Sequence, residues 1–292
     1  MSNTHSKINR VGFLLPLFYL IAPTLAVLRS IACINDMDAS GMGYFGDSAL
    51  MRGCNIAAAI FTLIFFTHVF TSNNKDSIPY ESFGNAPTHI TSGILGAAII
   101  LAIYELINPF ITMEAPVKIN HGDIVFIVSA ALGIMALAFL LMNAIVEKKH
   151  SQIRAALGIA TSLFFTSYGA CVYFDTSAAP NMQERILTVL ALVMAATFML
   201  YEARIPLGHS KWHSYAAFGL MASLLLSYAA IPALVYYIAN GATIPGATLT
   251  QIVVSIAAAI YITARVTLIA TAPEDEVCDL VESIIDIAHR RK

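Results

Sequence analysis

Charged residues are scarce in this chain of 292 residues, of which only 12% are Asp, Glu, Lys or Arg. Soluble domains carry about 25% charged residues, so the composition excludes an ordinary water-soluble globular protein. The net charge of −2 is too small to favour nucleic acid as a partner. Hydrophobic residues make up 58% of the chain and the mean hydropathy is +0.74, which indicates that the protein's main partner is the lipid bilayer.

Several functional signatures are missing as well. The sequence contains no nucleotide-binding loop, kinase motif or transporter signature, so it gives no sign of ATP hydrolysis. No loop is long enough to hold a hydrophobic core of its own. We therefore predict no soluble domain, no catalytic residues and no cofactor, and we do not expect an enzyme. The absence of an N-x-S/T sequon fits a bacterial plasma membrane.

Eight apolar runs are long enough to cross a bilayer, which takes roughly 20 residues of helix. The runs are continuous and do not alternate as the strands of an outer-membrane barrel do, so they predict helices. We expect an all-α, polytopic helical membrane protein whose eight transmembrane helices form one domain over residues 1–272. The runs cover residues 11–33, 51–71, 90–113, 122–146, 153–174, 186–204, 213–239 and 248–271.

The distribution of Lys and Arg predicts the orientation, because cytoplasmic loops are enriched in these residues. An arrangement with both termini cytoplasmic places twelve of them inside and only four outside. This bias favours an even number of spans in the plasma (inner) membrane. The four outside are Arg29, Arg52, Lys118 and Arg185.

Residues 273–292 form the clearly amphipathic segment of the chain, with apolar residues at helical spacing. Acidic residues crowd its beginning and basic residues its end, which matches the dipole of a helix. We predict a cytoplasmic amphipathic helix that lies on the inner membrane surface or docks against another membrane subunit.

Ionisable residues inside a membrane are costly and are therefore functional candidates. Glu105 lies about two-thirds of the way across the third run, and Arg29 lies at a similar depth in the first. We predict a buried pair between Arg29 and Glu105, which either fastens two helices or serves to gate or bind a charged solute. Glu202 is placed at the inner boundary, where Arg265 or Arg204 can pair with it, and we interpret these residues mainly as interface charges.

A possible calcium loop, "DMDASGMGYFGD", occupies residues 36–47. Asp36, Asp38, Ser40 and Asp47 stand at ligand positions of an EF-hand, and Gly41 stands at the turn. However, Asp replaces the usual bidentate Glu at the closing position, and no second loop is present to pair with it. We therefore favour a glycine-rich exterior loop with helix-capping acids over a calcium site.

A possible zinc pair is formed by His209 and His213, which are four residues apart. Seven-span ceramidase-like hydrolases use such pairs together with a Ser, an Asp and a further His. The second and third runs contain no matching set, so we favour a basic interface belt over a zinc site.

Prolines and cysteines leave two questions open. "YLIAPTL" and "YAAIPAL" share a Tyr-x-x-x-Pro-x-Leu pattern, and "IAAAI" follows each, which a parallel repeat or chance explains equally well. Pro23 and Pro232 each free a backbone carbonyl in their helices.

Cys33 and Cys54 flank the first outer loop, where a disulfide is conceivable, although small buried thiols are the simpler interpretation.

At "SGMGYF", "YFDTSAAPN" and "YEARIPLGHSKW" the chain resembles uncharacterised polytopic membrane proteins of anaerobic Gram-positive bacteria. The resemblance extends over most of the chain and implies no particular activity. The composition favours a permease or transport-related subunit for a small organic solute, with a mostly apolar, tyrosine-lined path and Glu105 as its one buried acid. A non-catalytic sensor or assembly partner is the alternative, and a metal-dependent membrane hydrolase is less favoured.

Overall fold

The structure is a computed structural model. It describes residues 14–37, 48–71, 78, 86–112, 121–145, 151–175, 182–208 and 210–271. The amphipathic segment predicted at 273–292 lies outside these residues.

Eight helices make up nearly all of the described chain, and no β-strand occurs in it. The prediction of an all-α polytopic fold with eight spans is confirmed, and each helix overlaps one of the eight apolar runs, with ends that differ by at most four residues. A short 3-10 turn, Ile205–Leu207, follows α6. The helices are α1 Leu14–Asp36, α2 Ala49–Thr71, α3 Ala86–Ile111, α4 His121–Ile145, α5 Ser151–Phe174, α6 Gln183–Arg204, α7 Trp212–Asn240 and α8 Leu249–Thr271.

Glycine and serine define several helix ends. Gly241 follows α7 with φ +70°, a left-handed conformation that glycine adopts without steric cost, and its N–H bonds to the Tyr237 carbonyl. At the start of α2 the Ser48 hydroxyl accepts a bond of 3.1 Å from the Met51 N–H. This is the N-cap arrangement that satisfies a free amide of the first turn.

Six of the helices form a closed ring. Each helix from α3 to α8 packs against the next one in the chain, and α8 also packs against α3. The remaining two helices lie outside this ring, where α1 and α2 pack against each other and against α7. Helix α7 therefore provides most of the contact between the ring and the α1–α2 pair.

The exterior of the bundle is strongly apolar. Side chains such as Leu20, Ile90 and Ile238 are 70%, 64% and 73% exposed. Contiguous apolar surface of this kind is unstable in water, whereas lipid solvates it well. Together with eight helices long and apolar enough to span a bilayer, this indicates an integral, multi-pass membrane protein in contact with lipid.

Small residues bring neighbouring helices close together inside the ring. A Cβ atom on Gly158 would lie 2.7 Å from the Cβ and 2.9 Å from the Cα of Ala203, so α5 and α6 approach each other there as closely as glycine permits. Close approach through small residues drives helix association in membranes, where the hydrophobic effect does not.

Two ends of the bundle can be distinguished by the side chains described below. The Arg29 end is the one where α1 finishes and α2 begins, and the Arg265 end is the opposite one. The Tyr19 hydroxyl near the start of α1 lies 2.6 Å from the Thr267 hydroxyl near the end of α8. The first and last helices therefore meet at the Arg265 end, as an even number of spans requires. Assignment of this end to the cytoplasm stays a prediction.

Candidate functional site

A fully buried ion pair lies at the Arg29 end. The Nη2 of Arg29 in α1 donates to Oε1 of Glu184 in α6 at 2.5 Å, and the two side chains are 0% and 3% exposed. The Nη1 of Arg29 donates to the Tyr228 carbonyl of α7 at 2.6 Å. The guanidinium also lies over the Tyr228 ring, 4.4 Å from its centroid, in cation–π geometry.

The bond to the Tyr228 carbonyl follows from a proline. Pro232 has no N–H, so the carbonyl four residues earlier loses its intrahelical donor, and Arg29 supplies a replacement. The Tyr228 hydroxyl donates to Oδ1 of Asn55 in α2 at 2.6 Å. One arginine therefore holds three helices together, and Tyr228 extends the connection to α2.

The predicted pair between Arg29 and Glu105 is wrong. Arg29 lies on a helix that packs against α2 and α7, whereas Glu105 lies on α3, which packs against α4 and α8. Glu105 is half-buried, and its Oε2 is buried without a hydrogen-bond partner. No described cation pairs with it. The expectation that Glu105 is the one buried acid of the membrane domain is also wrong, because Glu184 and Glu202 are more deeply buried.

A second buried ion pair lies at the Arg265 end, inside the ring. The Nε of Arg265 in α8 donates to Oε1 of Glu202 in α6 at 2.8 Å, and both side chains are 0% exposed. Two partners were predicted as alternatives for Glu202, and in the structure it pairs with Arg265. Arg204 instead is exposed and lies over the Tyr201 ring at 5.4 Å. The interpretation of Glu202 and Arg265 as interface charges is therefore wrong.

Hydroxyl groups complete the shell of this second pair. The Tyr215 hydroxyl donates to Oε2 of Glu202 at 2.5 Å, and the Tyr261 hydroxyl donates to Oε1 at 3.2 Å. Nη1 of Arg265 donates to the Thr88 hydroxyl at 3.4 Å. Asn143 donates to the Tyr261 hydroxyl at 3.4 Å, so groups from α3, α4, α6, α7 and α8 meet in one network. Such a shell is what a buried ion pair needs to offset its desolvation.

The two pairs lie near opposite faces of the hydrophobic layer. Glu184 and Glu202 both belong to α6, and 18 residues separate them. At a rise of 1.5 Å per residue this is about 27 Å, close to the roughly 30 Å thickness of a bilayer's hydrocarbon core. A single helix thus carries one buried carboxylate near each membrane face.

A groove of about 390 Å³ lies between α1, α7 and α8. Along the membrane axis it lies between the Arg29–Glu184 pair and the Arg265–Glu202 pair. Tyr19, Ser227 and Thr263 provide hydroxyl groups along it, and the other lining residues are Ile231, Ile256, Ala259, Ile260 and Ala264. Ser227 precedes Tyr228 of the first network, and the Thr263–Ala264 stretch precedes Arg265 of the second. The volume falls in the range of roughly 300–1,000 Å³ that is usual for small-molecule sites.

The metal predictions fall largely outside the described residues. Of the calcium ligands considered, Asp38, Ser40 and Asp47 are not described, and Asp36 accepts a bond of 2.5 Å from the Ser48 hydroxyl. His209 is also not described. No group of three His, Cys, Asp or Glu side chains that could hold a metal ion occurs among the residues that the structure covers.

The two histidines and two cysteines of interest adopt simple arrangements. The His213 ring meets the His68 ring edge to face, with the centroids 5.7 Å apart, which links α7 to α2. Cys33 and Cys54 are both buried and free, so no disulfide joins them. The interpretation of these cysteines as small buried thiols agrees with the structure.

Sequence reasoning missed Glu184 because the sixth apolar run was started at residue 186. The signal was present, since Glu184 lies two residues before the start of that run, on the same predicted side as Arg29. Tyr215 and Tyr261 were missed as partners of Glu202, because hydroxyl donors on other helices carry no pattern in the sequence.

No protein-family model, curated protein or solved structure matches this chain. The resemblance to uncharacterised polytopic membrane proteins of anaerobic Gram-positive bacteria therefore stays a prediction.

Proposed function

We propose that this integral membrane protein is a permease, or the membrane subunit of one, for a small and largely apolar organic solute. Two fully buried ion pairs support this proposal, one near each end of α6. Along the membrane axis, a groove of ligand size lies between them. Alternating access requires one closure towards each side of the membrane and a site between them.

Stability alone is a weak reason for these charges. Replacing a buried ion pair by well-packed apolar residues is often neutral or stabilising, since desolvation offsets most of the Coulombic attraction. By contrast, an ion pair can act as a switch between two arrangements of the helices. It is closed in one arrangement and broken in the other, where water reaches the separated charges. We assign the Arg29–Glu184 pair as the closure at one end and the Arg265–Glu202 pair as the closure at the other.

The groove accounts for the class of solute. Its wall is mostly aliphatic, which suits an apolar body, and the hydroxyls of Ser227 and Thr263 make no hydrogen bond to another described residue. These two groups can receive one polar end of a ligand. No charged side chain lines the groove, so a neutral molecule fits it better than an ion.

Thiol accessibility tests this function without knowledge of the solute. Ser227 is replaced by Cys in a chain whose native cysteines are changed to Ser, and a membrane-impermeant thiol reagent is applied to sealed vesicles from one side at a time. Neutralising the first pair, as Arg29→Gln with Glu184→Gln, should speed labelling from its own side at least fivefold and slow labelling from the other. Neutralising the second pair, as Glu202→Gln with Arg265→Gln, should produce the reverse.

Each double change leaves no unpaired buried charge, so the variants should remain folded. Arg204→Gln is the matched control, because it removes an exposed charge two residues from Glu202 and should leave both labelling rates unchanged. If each neutralised pair alters labelling on its own side alone, the two closures are not coupled. That result would contradict the permease hypothesis and favour the alternative, a non-catalytic sensor or assembly partner.

A further inference from the structure

A second and larger groove lies on the other side of α7. Helices α2 and α6 both flank α7, and a groove of about 630 Å³ remains between them. Its wall on α2 extends from Asn55 to Leu63, and its wall on α6 extends from Gln183 to Leu190. Leu225 and Tyr228 of α7 form its floor.

The dimensions of this groove suit an extended alkyl chain. Its wall on α2, the nine residues from Asn55 to Leu63, spans about 12 Å of helix axis. An extended alkyl chain is much thinner than a helix, which is about 10 Å across, and it fits within the groove's volume of about 630 Å³.

The polarity of the groove changes along the membrane axis. Its polar side chains at the Arg29 end are Asn55, Gln183 and Tyr228, whereas Leu63, Leu187 and Leu190 lie deeper. The one hydroxyl further down, that of Thr62, donates to the Ala58 carbonyl of its own helix at 2.8 Å. A lipid has the same order, with polar esters at the membrane surface and hydrocarbon below.

The amide groups at the mouth have hydrogen-bonding capacity to spare. Oδ1 of Asn55 accepts from Tyr228, and its amide nitrogen donates to no described residue. The Gln183 side chain likewise makes no hydrogen bond to the part of the chain that the structure covers. These donors suit the ester and phosphate oxygens of a lipid, and the positively charged, exposed Arg52 lies one turn further towards the membrane surface.

We propose that the groove between α2, α6 and α7 is a specific site for one acyl chain of a glycerophospholipid. The lipid enters from the leaflet at the Arg29 end, and its glycerol ester region lies beside Asn55 and Gln183. Burial of the acyl chain does not by itself favour this groove over the bilayer, because lipid already solvates such chains. Specificity for this site therefore comes from the amides at its mouth and from the shape of its walls.

Photo-crosslinking tests this site. The purified full-length protein is placed in nanodiscs that contain a phosphatidylcholine with a diazirine in the middle of one acyl chain, and the crosslinked peptides are mapped by mass spectrometry. Crosslinks should concentrate at Leu63, Leu187 and Leu190 relative to lipid-exposed positions such as Ile90 and Leu101. Ala59→Phe, which fills the groove from an exposed position on α2, should reduce the groove crosslinks at least fivefold.

Ile60→Phe is the matched control, because Ile60 is the next residue, is 50% exposed and does not line the groove. Gln183→Leu should reduce the groove crosslinks about threefold by removing the amide at the mouth. Crosslinking no denser in the groove than at Ile90 would show annular lipid alone and overturn the proposal. Equal effects of Ala59→Phe and Ile60→Phe, or crosslinks from α2 to a second protein, would overturn it as well.

Discussion

Removing the positive charge of Arg29 should be among the most damaging single changes in the membrane domain. Arg29→Gln removes the ion pair with Glu184, the donor to the Tyr228 carbonyl and the cation over the Tyr228 ring. Glu184 would lose its charged partner while its side chain stays almost fully buried. Breaking a buried pair in this way costs about 3–5 kcal/mol, and we expect a loss in that range.

Glu184→Gln should cost less than Arg29→Gln. The guanidinium would still donate to the Tyr228 carbonyl and lie over its ring, and a desolvated cation–π contact contributes about 2 kcal/mol. The double variant, which has neither charge, should recover much of the loss of Arg29→Gln. The double-mutant cycle should give a coupling energy of at least about 2 kcal/mol, far above the roughly 0.5 kcal/mol found for independent sites.

Unfolding in mixed micelles with increasing dodecyl sulfate measures these free energies. The chain contains one tryptophan, Trp212, which is 2% exposed at the start of α7, so its fluorescence reports the loss of packing around that helix. The same cycle with Glu105→Gln in place of Glu184→Gln is the control, and it should be additive. Additivity for Arg29 with Glu184, or strong coupling for Arg29 with Glu105, would refute the pairing described above.

Three further predictions concern packing, hydrogen bonding and metal binding. Gly158→Ala should destabilise the protein by about 1–3 kcal/mol in the same unfolding assay, since its Cβ would meet an α6 backbone atom at 2.9 Å, whereas Gly93→Ala has open space and should cause no loss. Tyr215→Phe should cost about 1.5–3 kcal/mol and Tyr261→Phe less, because their bonds to the buried carboxylate are 2.5 Å and 3.2 Å long. Calcium at about 1 mM, where weak extracellular sites fill, should not raise the melting temperature, and a rise that Asp36→Ala abolishes would contradict this.

The sequence predicts the helices well because their cause is local. A run of about 20 apolar residues has to form a helix in lipid, where unpaired backbone groups cost several kcal/mol. Each predicted run therefore lies within a helix or differs from it by a few residues. The largest differences arise where polar residues begin a helix, as in α3, which starts at Ala86 rather than at residue 90.

The sequence does not predict which helices are neighbours, and the candidate site depends on that. Arg29 lies at a depth where Glu105 and Glu184 are both plausible partners. Helix α1 packs against α7, and α7 packs against α6, so Arg29 lies beside Glu184 of α6 and not beside Glu105 of α3. Hydropathy carries no information about which helices pack together. Glu202 with Arg265 was among the alternatives, yet its complete burial was not expected. Charged residues at the end of a run look alike whether they point into the bundle or out to the interface.

The wide sequence separation of the first ion pair has a consequence for how the protein is made. Arg29 and Glu184 are 155 residues apart, so at about 5–20 residues per second the ribosome adds the glutamate roughly 8–30 s after the arginine. Helix α1 enters the membrane in that interval with an arginine that costs up to about 3 kcal/mol in hydrocarbon. During synthesis Arg29 must reach towards the membrane surface or remain beside the translocon. Docking of α1 onto α7 is therefore a late step of assembly, and a chain that stops before α6 should retain a poorly inserted first helix.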